Sequence, residues 1–407
     1  MRLAIVVNRF PTLSETFIFN KVVGLRRLGI DVTVHTHERQ NHLSYYRKQL
    51  ENKETEFVVT ALMAWGSILF APRLLFFVIR YPNASVKLLW QAIHLYGFNS
   101  RAFKAWQKSL PLAVRNYDLI HFELSGLAVQ YLDALPLLAS AKLLTSCRGA
   151  AEQIVPLVNR KRADELTQVF SSIDRVHCVS VDMVCTAMRY GLQSEKSFVN
   201  HPSIDVDQFQ RNKKYIPKST PPYRIVSVGR LHWKKGYQDA LVALKKLLLD
   251  GYQVSYEIVG GGPVEDELRY IIDDLELNDH VFLKGPQSAQ FIRDLLEEAD
   301  IFWLPSLSEG LANSALEAMS MELPVVSTTA GGMNEAIIDG QEGFLVPPYT
   351  PDAIVEKTKM LLQNPDLRCA MGKAARHRVK QDFNLQRQVE RFVEEYEKLL
   401  NVTSEPL

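Results

Sequence analysis

Apolar and polar positions fall into alternating blocks, some with the period of a strand and some with that of a helix. Leu3–Val7 is a short apolar run that reads as a buried strand. Ser14 can cap the following helix, Glu15 sits in its first turn where negative charge is favoured, and Gly29 stops it just after Leu28. Asp31–His35 alternates as a second strand. The strand signal recurs at Leu119–Phe122, Lys142–Ser146, Arg175–Val179 and Lys196–Asn200, with helical stretches between. Strands alternating with helices predict an α/β fold with a parallel sheet covered on both faces.

Arg211–Tyr223 is polar and rich in proline, which marks a linker. A second alternating series follows it. Strands are expected at Arg224–Val228, Ser255–Val259, Val281–Leu283, Ile301–Leu304 and Val325–Ser327. Helices are expected at Tyr237–Asp250, Glu265–Asp274, Ala289–Ala299 and Ser314–Met321, with a terminal helix from about Leu385 to Leu400. The pattern predicts two doubly wound, Rossmann-like domains, 1–210 and 223–385, joined by 211–222 and followed by a helical 386–407.

Composition narrows the class. Hydrophobic residues make up 47% and charged residues 23% of 407 residues, which excludes a disordered or disulfide-scaffold chain. A net charge of +1 gives no support to nucleic-acid binding over the whole surface. Cys147, Cys178, Cys185 and Cys369 lack metal-ligand spacing and read as reduced, intracellular thiols. Met1-Arg2 leads straight into an apolar strand with no small-residue cleavage site, so no secretory leader is expected.

Charge is distributed unevenly. Phe57–Tyr117 holds seven Lys or Arg, no Asp or Glu, and three of the five tryptophans, Trp65, Trp90 and Trp106. Basic residues beside aromatics suit the surface of an anionic membrane. The plain alternative is a set of amphipathic helices packed on the first domain. A membrane span is disfavoured, because Ala61–Ile79 is interrupted by Gly66, Pro72 and Arg73.

Candidate chemistry gathers in the second domain. Gly229 and Arg230 follow the first strand of that domain, and Lys235 comes five residues after Arg230. A glycine lets a ligand approach the backbone, and two such cations can clamp a diphosphate, although a solvated basic loop would look the same. Gly260, Gly261 and Gly262 form a strand-to-helix turn able to admit a phosphate, or simply a tight turn; the dinucleotide signature is missing because Glu265 holds its last glycine position. After the strand Ile301–Leu304, Glu309 sits in the loop and Glu317 on the next helix, whose free N–H groups can bind an anion. Two acids on either side of a phosphate make sense as partners for sugar and ribose hydroxyls.

These residues resemble the retaining family-4 glycosyltransferases of GT-B fold. Glu309 and Glu317 form the E-x7-E motif, and Gly229-Arg230-Leu231, Lys235-Gly236, Ala299-Asp300-Ile301, Pro305-Ser306, Glu317-Ala318-Met319, Pro324-Val325-Val326, Gly331-Gly332 with Glu335, and Gly343 to Pro347 fit around it. Phe10–Ile18 is similar to the branch, of colanic-acid type, that builds bacterial exopolysaccharide and lipopolysaccharide. The resemblance implies two domains facing a cleft, with the terminal helix crossing back to the first domain. It implies retaining, metal-independent hexosyl transfer from a nucleotide sugar, with no cofactor and UDP- or GDP-sugar as donor. The acceptor would be lipid-linked or a polysaccharide, and the work cytoplasmic, on the inner face of the plasma membrane.

The same resemblance assigns residues. Arg230 and Lys235 would neutralise the leaving diphosphate from an exposed loop, where replacing them leaves folding intact. Glu317 would hold the ribose. Glu309, with the backbone of Gly310, Leu311, Ala312 and Asn313, would hold the donor sugar. His121 matches a family histidine near that sugar, although a histidine at a strand end is also an ordinary structural residue. Arg148 stands where the family often has a histidine, and with Glu15 it would lie on the acceptor side. Two rivals remain: a nucleotide-sugar epimerase of the same fold, and a non-catalytic nucleotide-sugar-binding or scaffold protein.

Overall fold

The computed structural model describes residues 1–10, 16–39, 58–61 and 70–401. Ser14, Glu15 and Trp65 lie outside them. The chain divides into two compact units: Met1–Val179, Met183–Asn200 and Gln388–Leu407 form the first, and Ser180–Asp182 with His201–Arg387 the second.

The first unit is built on a seven-stranded parallel sheet. Its strands are β1 (Arg2–Phe10), β2 (Asp31–Arg39), β3 (Val58–Ala61), β4 (Leu119–Phe122), β5 (Lys142–Cys147), β6 (Arg175–Cys178) and β7 (Ser197–Val199), in the order β3-β2-β1-β4-β5-β6-β7. The order reverses between β1 and β4. Ile120, Phe122, Leu143 and Val176 point into one apolar core. The helix Thr16–Arg27 buries Ile18, Val22 and Leu25, a helical stripe that also includes the buried Lys21. The terminal helix Leu385–Asn401 buries Val389, Phe392 and Tyr396; a Cβ at Gly24 would come within 2.6 Å of Val389 Cγ2, so the glycine lets the two helices pack closely.

The second unit carries β8 (Tyr223–Val228), β9 (Val254–Val259), β10 (Val281–Leu283), β11 (Ile301–Leu304), β12 (Val325–Thr328) and β13 (Gly343–Val346), all parallel, in the order β10-β9-β8-β11-β12-β13. The order reverses between β8 and β11. Alternating residues of these strands feed two cores: Ile225, Ile301 and Trp303 on one face, Val226, Phe302 and Leu304 on the other.

Two expectations on boundaries change. Residues 201–210 belong to the second unit, because Ile204 N–H donates to Phe383 O (3.1 Å) and Phe209 enters its core. The proline-rich 211–222 is tied to the same unit: Arg211 donates to Met321 O (2.5 Å) and Glu297 O (2.6 Å), and Asn212 N–H to the Glu297 carboxylate (2.8 Å). Also absent from the sequence reading are β3, β13 and the helices Pro351–Gln363 and Pro365–Asp382. Within 57–117 the structure places β3 and the helices Phe70–Arg80, Pro82–Tyr96 and Ser100–Ala113.

Candidate functional site

In an open parallel sheet, ligands bind beyond the carboxyl ends of the strands where the order reverses. In the second unit that point lies between β8 and β11, and the loops that leave these two strands carry Arg230, Lys235 and Glu309. The loops are tied together. Leu307 N–H donates to Lys234 O at 2.7 Å. Gly236 adopts φ +63°, and a Cβ there would lie 2.0 Å from Pro305 O, so only glycine permits the approach.

Lys235 donates a hydrogen bond to Glu309 Oε1, which also accepts from Ser306 Oγ at 2.8 Å. Glu309 is buried. Burial alone would raise its carboxyl, but Lys235, Lys234 and the Ser306 hydroxyl together hold it below the usual range. Lys235 is therefore not the exposed loop cation expected from the sequence: its side chain is 13% exposed, and removing it leaves a buried carboxylate without its cation. Arg230 is exposed and pairs with nothing among the described residues. Half-buried Lys234 lies close to both; its ammonium is pushed down by burial and by the charges of Lys235 and Arg230.

The loop after Glu309 supplies donors. Among the described residues, the N–H groups of Gly310, Leu311, Asn313 and Ser314 have no acceptor; the last two open the helix Asn313–Ser320. Ala312 N–H instead faces Met333 Sδ at 3.5 Å. Gly331 (φ +63°) closes behind this loop, where a Cβ would meet Glu309 O at 1.9 Å. Glu317, on the second turn of the helix, is half-buried and has no partner among the described residues. Burial pushes its carboxyl up to about 8. Among the described residues, no group of three His, Cys, Asp or Glu is placed to hold a metal ion.

The triglycine turn packs tightly against the loop that follows β8. A Cβ at Gly260 would sit 2.0 Å from Gly229 O, one at Gly262 2.1 Å from Leu231 O, and one at Gly261 3.0 Å from the Pro286 ring. The glycines thus let the turn lie against the Gly229–Leu231 backbone that presents Arg230. Glu335 accepts hydrogen bonds from Val181 N–H (2.9 Å), Asp182 N–H (3.2 Å) and, at 2.8 Å, shares one with His201 Nε2.

In the first unit, His121 lies fully buried in a polar chain. Its Nδ1 is 2.7 Å from Tyr396 Oη and 3.1 Å from Lys21 Nζ, and its Nε2 is 2.8 Å from Ser146 Oγ. Ser146 Oγ lies 2.9 Å from His177 Nδ1, and His177 Nε2 2.7 Å from Asn200 O. Burial pushes both imidazoles well below their ordinary pKa, which makes them neutral. With both ring nitrogens engaged and no exposed surface, His121 presents no atom to a donor sugar in this structure.

Beside it, Lys21 and Arg148 both bind Glu123, Arg148 through Nη2 at 2.9 Å. Burial pushes Lys21 down to about 8. Burial would raise Glu123, but the Lys21 and Arg148 cations pull it below the ordinary carboxylate range. Arg148 also stacks on Phe17, 4.3 Å from the ring centre, and its side chain keeps 14% exposure. Sequence reasoning missed Lys21, Glu123, Ser146 and His177. The signal available was a lysine on the apolar stripe of an amphipathic helix, a position that requires a buried counter-charge.

Residues 208–378 match the family Glycosyl transferases group 1. The chain is 27% identical over 408 residues to the putative colanic acid biosynthesis glycosyltransferase WcaL of Escherichia coli (strain K12), covering 95% of this chain and 97% of that one. It is 30% identical over 408 residues to the amylovoran biosynthesis glycosyltransferase AmsK of Erwinia amylovora, covering 94% and 96%. Among solved structures, Anabaena HepE in complex with UDP and glucose superposes with a TM-score of 0.73 at 17% identity, over 98% of this chain and all of that one. TarM superposes with a TM-score of 0.75 at 14% identity, over 98% of each chain. At such identities these two likenesses speak for the fold, which is GT-B.

Proposed function

The chain belongs to the group 1 glycosyl transferases, and from that premise we propose that it moves a sugar from a UDP- or GDP-sugar to a lipid-linked or polysaccharide acceptor in bacterial cell-surface polysaccharide synthesis. The acceptor class is supported by the colanic acid and amylovoran named in two relatives that match nearly the whole chain. The observation that carries the reading is the arrangement at the β8/β11 edge. An unpaired Arg230, the Lys235–Glu309 pair and four N–H groups without acceptors gather there on loops that hold one another.

The donor diphosphate is placed against Arg230 and Lys235. An ammonium has three donors, and Lys235 gives one to Glu309, which leaves two for phosphate oxygens. As the bond from the sugar to the diphosphate breaks, negative charge grows on the phosphate, and these cations with the N–H groups of Gly310, Leu311, Asn313 and Ser314 stabilise it without rearranging. Glu317 accepts the ribose hydroxyls and Glu309 orients the donor sugar. The acceptor hydroxyl attacks the face that the nucleotide leaves, a phosphate oxygen takes its proton, and the anomeric configuration is retained. On the acceptor side, Arg148, fixed by Glu123, meets an anionic group of the acceptor. The protein works peripherally on the cytoplasmic face of the membrane; no helix among the described residues is long and apolar enough to cross it.

Thermal shift with UDP-, GDP-, ADP- and CMP-sugars, followed by NMR of the transferred product, tests the reading. A ligand at 100 times its dissociation constant adds about 2.7 kcal/mol of stability. The expected result is stabilisation by one nucleotide class and a product with the donor's anomeric configuration. An epimerised sugar without transfer, or stabilisation by none of the four, contradicts the reading.

A further inference from the structure

Eight of the twenty-two exposed large apolar side chains among the described residues fall within residues 75–103. The helix Phe70–Arg80 (FAPRLLFFVIR) turns Phe77 into a small core shared with the next two helices. Its other face shows Leu75, Phe76 and Ile79 to solvent, Ile79 at 70% exposure. The helix Pro82–Tyr96 buries Leu88 and Ala92 and exposes Val86 and Trp90, one helical turn apart, Trp90 at 66%. Phe98, just beyond its end, is 81% exposed. A helix that is apolar on both faces needs cover on both, and isolated exposed leucines elsewhere do not make such a surface.

Charge selects the cover. Arg80 and Lys87 are exposed at the margins of these faces and form no ion pair among the described residues; Arg101, nearby, is exposed and paired with Asp133 at 2.7 Å. No acid occurs anywhere from 57 to 117. Two copies of one cationic surface repel each other, whereas an anionic bilayer supplies both the apolar medium and the counter-charge.

We propose that the exposed faces of the helices Phe70–Arg80 and Pro82–Tyr96 form a docking surface for an anionic lipid bilayer, with Ile79, Trp90 and Phe98 entering the interface and Arg80 and Lys87 meeting lipid headgroups. The inference deepens the membrane-surface reading above by naming the face that docks.

The test is co-sedimentation of the full chain with phosphatidylcholine vesicles made with and without phosphatidylglycerol. Three variants are compared with the wild type: Ile79→Ser with Trp90→Ser, Arg80→Glu with Lys87→Glu, and Leu249→Ser, which alters an exposed leucine of the second unit. The wild type is expected to partition at least about ten-fold better onto anionic vesicles and to lose this with added salt. Each double variant should lose about ten-fold or more, while Leu249→Ser binds as wild type. Unchanged thermal midpoints verify folding. Equal binding to both vesicle types, binding to neither, or undiminished binding of both double variants overturns the proposal. So does a wild-type dimer that Trp90→Ser dissociates, since the cover is then a second copy. Nucleotide-sugar stabilisation is measured on the same samples: its absence with sedimentation intact counts against the transferase reading and leaves the docking surface standing, and the reverse result does the opposite.

Discussion

In the second unit the central strands β8 and β11 are apolar on both faces, with Ile225, Ile301 and Trp303 on one and Val226, Phe302 and Leu304 on the other. In the first unit the central strands β4, β5 and β6 send Ile120, Phe122, Leu143 and Val176 to one face and His121, Ser146 and His177 to the other. Parallel sheets buried on both sides normally read as nearly continuous apolar runs. The first unit departs from that rule and closes its polar row with Lys21, Glu123 and Tyr396. In the second unit Arg230, Lys235 and Glu309 lie on loops beyond the strand ends, while polar groups on the strands themselves, such as Ser227 and Glu257, are buried and bonded to their neighbours. In the first, the row of His121, Ser146 and His177 with Lys21 and Glu123 is buried and partnered, and Arg148, which binds Glu123, keeps partial exposure. The first arrangement holds a geometry; the second leaves donors free for a ligand.

The largest effect expected from breaking this contrast comes from Glu123. Replacing it with Gln removes the charge that balances buried Lys21 and Arg148, and should cost about 3–5 kcal/mol in urea unfolding followed by a probe of the first unit. The matching change in the second unit, Glu309→Gln, should cost less, because Lys235 keeps some access to water.

Two carboxyls, one in each unit, should also answer pH with opposite sign. Glu123 lies below its ordinary pKa, so its contribution is present above about 4.5 and is lost as pH falls through the lower folded value. Glu317 lies above, near 8, so the folded chain holds a proton that the unfolded chain releases between about 4.5 and 8. Its contribution is full below the unfolded pKa and is lost as pH rises through about 8. Thermal midpoints of Glu317→Gln should therefore decline less than wild type between pH 5 and pH 8, a range bounded by those two values. Parallel profiles would show that Glu317 is not burdened by its burial.

The smallest effect expected is that of Ser146→Ala. It breaks the link between His121 and His177 and should cost about 1–3 kcal/mol, the penalty for leaving buried ring nitrogens without a partner. Nucleotide affinity should not change. A loss of affinity would mean that the polar row of the first unit serves the donor after all.

The contrast also explains what the sequence made legible. In the second unit, apolar runs such as Ile301–Leu304 mark strands, and the chemistry follows directly in the loops, so Arg230, Lys235, Glu309 and Glu317 could be picked out by position. The ion pair between Lys235 and Glu309 could not, since 74 residues separate them and only the strand order brings their loops together. Lys21 and Glu123 are 102 residues apart, and neither shows its partner locally. Short β13 (Gly343–Val346) is not legible as a strand, because a glycine opens its four residues. The boundary at 210 failed because Ile204 and Phe209 are apolar anchors inside a polar stretch.

The central claim is that an unpaired Arg230 and a Glu309-held Lys235 receive the leaving diphosphate. Turnover of Arg230→Ala, with saturating donor and acceptor, tests it most directly. Arg230 is exposed and bonded to nothing among the described residues, so its loss should leave the thermal midpoint unchanged and lower kcat by about 10²–10³, as for other groups that stabilise transition-state charge. Wild-type kcat in a folded Arg230→Ala protein would contradict the account.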